Sequence, residues 1–171
     1  MKKAKLVATG IFLGILLTMV PGYLQASEGP VISNSFAVKE LVPGYTWKIY
    51  IKAKSPEEKM KYIYAHVDQA GGMGYPISLI RIREENQGEI SGYVFLSTII
   101  AGKPLDYVNI RLTIHIRDDK GRFSEPVVFP LTFNARAAVQ EAPAGIFLEK
   151  DLGPVMIRLR PVNDDGNSHD N

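Results

Sequence analysis

Two adjacent acids, Asp118 and Asp119, stand before Lys120 and Gly121 in the stretch IHIRDDKGRFSEPVVFPLTF, residues 114–133. Neighbouring carboxylates suit calcium ligation or acid–base hydrolysis, and the spacing argues against both. Calcium gathers about 6–8 oxygens around one point, so a calcium loop needs donors at alternate positions and a distant glutamate. Here Lys120 takes the next alternate position and only Glu125 follows. Glycoside hydrolysis needs two carboxylates facing each other across a sugar, whereas adjacent strand residues point to opposite sides. The pair is therefore expected to form the corner of a hairpin between two apolar runs.

The other reactive side chains are equally sparse. His66 and His115 fall on the outward positions of the third and sixth strands, which neighbour one another in a sandwich, so they are expected to share a face. Zinc would require a third ligand that the sequence does not supply. The segment ISGY, Ile90 to Tyr93, lacks the first glycine of a nucleophile elbow. The glycine-rich AGGMGYP, Ala70 to Pro76, lacks the lysine and following helix of a phosphate loop and is expected to be a flexible turn. No catalytic residue, metal site or cofactor is expected.

The elements that would position these groups are short and β-favouring, with apolar residues at every second position. The expected strands are Val31–Glu40, Tyr45–Lys54, Met60–Gln69, Ile77–Glu84, Glu89–Ile99, Tyr107–Arg117 and a seventh from Phe123 to Phe133. In the second, Trp47, Ile49, Ile51 and Ala53 face inward. In the third, Ile63, Ala65 and Val67 face inward while Tyr62, Tyr64, His66 and Asp68 face out. The sixth sends Val108, Ile110, Leu112, Ile114 and Ile116 to the core and Asn109, Arg111, Thr113, His115 and Arg117 to solvent. Phe123, Val127, Phe129, Leu131 and Phe133 make the apolar set of the seventh. Gly92 marks a bulge or close packing. Strands at intervals of roughly 10–15 residues favour two antiparallel sheets packed face to face over parallel βαβ units.

The chain of 171 residues begins with Lys2, Lys3 and Lys5, then an apolar run from Leu6 to Val20, then Pro21 and Gly22, with Ala26 before Ser27. That is the pattern of a secretory signal peptide over residues 1–26. The apolar run, about fifteen residues, falls short of the roughly 20 that span a bilayer, so membrane association is expected only if the leader stays uncleaved. Without its three lysines, 17 basic residues face 18 acidic ones, a net of −1. The chain then lacks the concentrated positive charge that nucleic-acid binding rests on. The absence of cysteine removes disulfides, thiolate nucleophiles and lipid anchoring at the cleavage site. A periplasmic or secreted location is expected, with a sandwich over residues 27–134, an extension over 135–161 that includes a further hairpin across Leu152 to Pro154, and a disordered polar tail over 162–171.

The run RLTIHIRDDKGRFSEPVVFPLTF resembles the last two strands of immunoglobulin-like and fibronectin-like modules of bacterial envelope proteins: a strand ending in Asp, then Gly, then Ser and Pro opening the next strand. It departs from true immunoglobulin domains in lacking the cysteine pair and in carrying its tryptophan on the second strand. The resemblance implies an all-β, immunoglobulin-like antiparallel sandwich of about seven strands and a role in adhesion, assembly or ligand binding.

The surface feature with most chemical content is the set Tyr62, Tyr64 and His66, expected beside Arg111, Thr113 and His115. Tyrosine and arginine anchor peptides or stack on sugars, being large, partly apolar and rich in donors. The expected function is an exported, non-enzymatic envelope module that binds or scaffolds a protein through this face or through a sheet edge. The competing expectations are a carbohydrate-binding or polysaccharide-hydrolysing domain, whose partner is a glycan, and a purely structural accessory subunit.

Overall fold

The computed structural model describes residues 29–55, 59–70, 73–99, 105 and 108–160; the leader expected over residues 1–26 and the tail over 162–171 lie outside them. These residues form a two-sheet β-sandwich. Ten strands run in chain order: β1 (Val31–Ala37), β2 (Glu40–Leu41), β3 (Thr46–Lys54), β4 (Met60–Gln69), β5 (Met73–Gly74), β6 (Ser78–Arg81), β7 (Glu89–Ser97), β8 (Asn109–Asp118), β9 (Val127–Phe133) and β10 (Asp151–Pro154). Sheet A has the order β1-β3-β7-β10, and sheet B the order β2-β9-β8-β4-β5 with β6 also on β4. Two of the pairings, β2 with β9 and β10 with β7, are parallel, so the expected purely antiparallel arrangement holds only in the body of each sheet.

The alternation written in the sequence sets the register. Trp47, Ile49, Ile51 and Ala53 of β3 and Ile63, Ala65 and Val67 of β4 are all fully buried, and they meet Leu112, Ile114 and Ile116 of β8 between the sheets. A slip of one residue would move such a set to solvent. Each of these aliphatic side chains contributes roughly 1.5–3 kcal/mol on burial, which makes the register of β8 costly to change.

The first expected strand divides in two. β1 belongs to sheet A, and after Val38 and Lys39 the chain crosses to sheet B, where β2 lies parallel to the end of β9. The buried indole of Trp47 donates to the Val38 carbonyl at 3.0 Å and fixes the crossing. The glycine-rich segment does more than turn: after Gln69 the chain returns as β5, with Gln69 opposite Met73 and Asp68 opposite Gly74. Residues 84–86 form a single 3-10 turn between β6 and β7.

The C-terminal extension departs from the expected hairpin. Residues 147–150 lie over the outer face of sheet A, where the Phe147 ring stands 5.6 Å from that of Tyr50. There Glu149 accepts from Tyr50 Oη at 2.6 Å and from Lys48 Nζ at 2.9 Å. The segment then enters sheet A as the single strand β10. Val155 and Leu159 insert into the core, and Arg160 reaches sheet B, where its carbonyl accepts from Gln69 Nε2 at 2.7 Å and its N–H donates to Tyr75 Oη at 2.9 Å. Gly92 makes room for this passage. A Cβ there would lie 2.3 Å from the Lys150 carbonyl oxygen, which accepts the Tyr93 N–H. Close packing, one of the two readings of Gly92, is what the structure shows.

Candidate binding face

β4 and β8 are the central pair of sheet B, and their register decides which outward side chains meet. Tyr62 lies opposite Arg117, Tyr64 opposite His115, His66 opposite Thr113 and Asp68 opposite Arg111. On the other side of β4, Tyr62 faces Arg81 and Tyr64 faces Leu79 of β6. Directly opposed residues share a face with Cβ atoms about 4.5–5.5 Å apart. Tyr62, Tyr64, His66, Arg111 and His115 therefore project from one side of the sheet. Arg111 stands apart from the rest, roughly 13 Å along the strand from His115, in a separate shallow cleft with Asn109 and Thr132.

The acid pair is a corner. Asp118 is buried, and its carboxylate accepts the Arg122 backbone N–H and Arg122 Nε, both at 2.8 Å. Burial pushes this carboxyl upward, but the hydrogen bonds and charge of Arg122 outweigh it and hold the group below its ordinary range. Gly121 completes the turn at φ +88°, a conformation disfavoured for other residues. The Arg117 guanidinium packs against it, 3.2 Å from where a Cβ would stand.

That corner delivers Phe123 to the outer face. Phe123 belongs by phase to the core set of the last strand, yet it is 51% exposed, while Phe129, Leu131 and Phe133 of that set are buried. The two-residue period does not carry through Ser124, Glu125 and Pro126, because regular β9 begins only at Val127. The ring instead stands edge-on to Tyr64, centroids 5.1 Å apart, and to His115 at 6.0 Å. Arg117 ties the group together: its Nη1 donates to Tyr64 Oη at 3.1 Å and its Cζ lies 5.7 Å from the Phe123 centroid.

Around these rings runs an open groove of about 670 Å³, lined by Tyr64, His66, Ile77, His115, Phe123 and Pro126 among others. Ile77, Leu79, Phe123 and Val128, each at least 49% exposed, leave this face unusually apolar. The sequence held a signal for two of them. In ISLIRIRE the apolar residues occupy both phases, so Ile80 and Ile82 in the core leave Ile77 and Leu79 facing out.

The polar groups near the groove are engaged in the fold. Ser124 Oγ accepts the Ile116 N–H at 2.9 Å and donates to the Glu125 carbonyl at 3.0 Å, while His115 Nδ1 lies 3.3 Å from the Ser124 carbonyl oxygen. The serine hydroxyl is thus not directed at the histidine. His66 Nε2 lies 3.7 Å from Asp68 Oδ1. Among the described residues no three His, Asp or Glu side chains converge to hold a metal ion. No protein-family model matches the chain, and no curated protein matches it. The chemistry of the face is that of a surface able to bury an apolar group.

Proposed function

We propose that this chain is an exported, non-enzymatic module with an immunoglobulin-like sandwich, which binds or scaffolds a partner protein through the outer face of sheet B. The strand order supports the fold reading. Counting β1, β3, β4, β6, β7, β8 and β9 as the seven main strands, the first, second and fifth share one sheet and the third, sixth and seventh the other, as in immunoglobulin-type sandwiches, while the fourth, β6, departs from the seven-strand immunoglobulin pattern by pairing with the third. The signal-peptide pattern supports an exported protein.

The observation that carries the binding reading is Phe123: an aromatic ring half exposed on Tyr64 and His115, on a sheet face left open among the described residues, where residues 147–150 lie over the other sheet. Contiguous exposed apolar surface with aromatic anchors is the mark of a protein interface rather than of a solvated face. The test is affinity capture from envelope extract with the exported chain as bait. A protein retained by the native chain and by a variant on the opposite sheet, such as Lys52→Ser, is expected to be lost on Tyr62→Ser/Tyr64→Ser and on Phe123→Ser. An unchanged set of captured proteins would overturn the reading. Retention of a glycan in a parallel array, lost with the same variants, would replace it with the carbohydrate-binding alternative.

A further inference from the structure

We infer that the partner presents a carboxylate beside an apolar side chain. This rests on the reading of the outer face of sheet B as the docking surface and adds the charge of what docks there. The groove around Tyr64, His115 and Phe123 does not end in neutral surface. One step along β4, two residues or about 7 Å away, Tyr62 sits between Arg81 and Arg117, its opposed residues on β6 and β8. A third cation joins them. The register shift between Met60 and Tyr62 breaks the alternation of β4, and Lys61 Nζ comes within 5.9 Å of the Tyr62 ring instead of leaving by the opposite face.

Three cations thus gather about one tyrosine. Among the described residues no ion pair joins any of the three to a carboxylate, whereas Arg122 nearby is paired with Asp118. Arg117 belongs to both halves of the surface, reaching Tyr64 and Phe123 from the basic end. At the other end of the face Arg111 has Asp68 as its directly opposed residue on β4. The face thus holds an apolar groove in its middle, with Glu125 in the groove lining, and three cations around Tyr62 at one end.

A ligand complementary to this arrangement buries an apolar side chain against Phe123 and Tyr64 and sets a carboxylate among Lys61, Arg81 and Arg117. In an extended segment, residues i and i+2 lie on the same side at the same spacing of about 7 Å. The aliphatic contribution of Ile77 and Leu79 favours a peptide segment over an anionic polysaccharide, whose sugars have few large apolar groups to bury.

The experiment titrates the isotope-labelled full chain with two blocked pentapeptides, Gly-Phe-Ser-Asp-Gly and Gly-Phe-Ser-Lys-Gly, and follows backbone amide shifts. The Asp peptide is expected to shift residues 62–64, 79–81 and 115–123 and to bind roughly three- to tenfold tighter than the Lys peptide, as exposed charge pairs allow. The preference is expected to shrink in high salt and to reverse in Lys61→Glu/Arg81→Glu, whose two substitutions lie on exposed side chains. Equal binding of the two peptides overturns the charge assignment and leaves the docking face standing. If neither peptide shifts Tyr64 or His115, the docking face falls with it. If polygalacturonate shifts the same residues and the Asp peptide does not, the partner is an anionic glycan and the inference is wrong.

Discussion

Arg117 Nη1 donates to the Tyr64 hydroxyl at 3.1 Å, from a residue whose own cross-strand neighbour is Tyr62. The bond runs diagonally across the β4–β8 pair. It draws the guanidinium along the sheet toward Phe123, whose ring it then overlies. Two central strands of the sheet and the corner that follows them are thereby locked into one surface. The aromatic groups are held in place before any partner arrives, and such preorganisation reduces the entropy lost on binding.

Phe123→Ala is expected to separate folding from binding. The ring is half exposed, and its contacts with Tyr64 and His115 are worth about 0.5–1.5 kcal/mol each, so the loss should stay within about 1–3 kcal/mol. Phe133→Ala empties a fully buried site of the same residue type and should cost about 3–5 kcal/mol. The single tryptophan, Trp47, is completely buried, and its emission reports both transitions. Equal losses in the two variants would mean that Phe123 belongs to the core after all.

The contrast between these phenylalanines also marks where the sequence was legible. Alternation sustained along β3, β8 and most of β4 placed Trp47, Ile63, Ile114 and Ile116 in the core, because slipping any such strand would expose its whole apolar set. It equally placed His66 and His115 outward on adjoining strands. Phe123 was misplaced because periodicity holds only while the chain stays extended, and Ser124 to Pro126 interrupt it. The crossing at Val38 and the parallel strand β10 were hidden for another reason. Both depend on contacts across long sequence separations, Thr132 with Lys39 and Lys150 with Tyr93, which no local pattern records.

Gly92→Ala tests that parallel strand. The added methyl would meet the Lys150 carbonyl oxygen and the Leu152 side chain, at 2.3 and 3.0 Å, and the first of these is backbone that moves only if the strand does. The variant should lose about 1–3 kcal/mol, the usual cost of overpacking. Hydrogen exchange should accelerate first at the Tyr93 and Val155 amides, which donate to Lys150 and Phe95. A variant with native protection at both amides would show that β10 tolerates displacement.

Glu149→Gln is expected to act locally. Hydrogen bonds from Tyr50 and then Lys48 hold the Glu149 carboxyl below its ordinary range, yet the side chain is largely exposed and exposed ion pairs contribute little to global stability. The urea midpoint should stay near that of the native chain. Exchange at the Leu148 amide, which donates to Ser91 Oγ, should rise as the segment over Tyr50 loosens. A large drop in global stability with no change at Leu148 would contradict this.

Asp118→Asn addresses the corner on which Phe123 depends. The carboxylate side chain is fully buried and accepts two hydrogen bonds from Arg122, whose own side chain is only 24% exposed. An amide in its place offers one acceptor and turns a donor toward a donor. The expected loss is about 1–3 kcal/mol, that of leaving a buried donor without its partner. Because the folded-state carboxyl titrates below its unfolded value, its contribution is complete above the ordinary aspartate range. It is then lost as pH falls through the folded-state pKa. Denaturation curves should therefore show a gap between the native chain and Asp118→Asn that is constant near neutrality and narrows under acid. Over the same range the Phe123 ring resonances of the native chain should shift toward those of the variant. A gap that stayed constant down to strong acid would mean that the charge of Asp118 does not hold the turn.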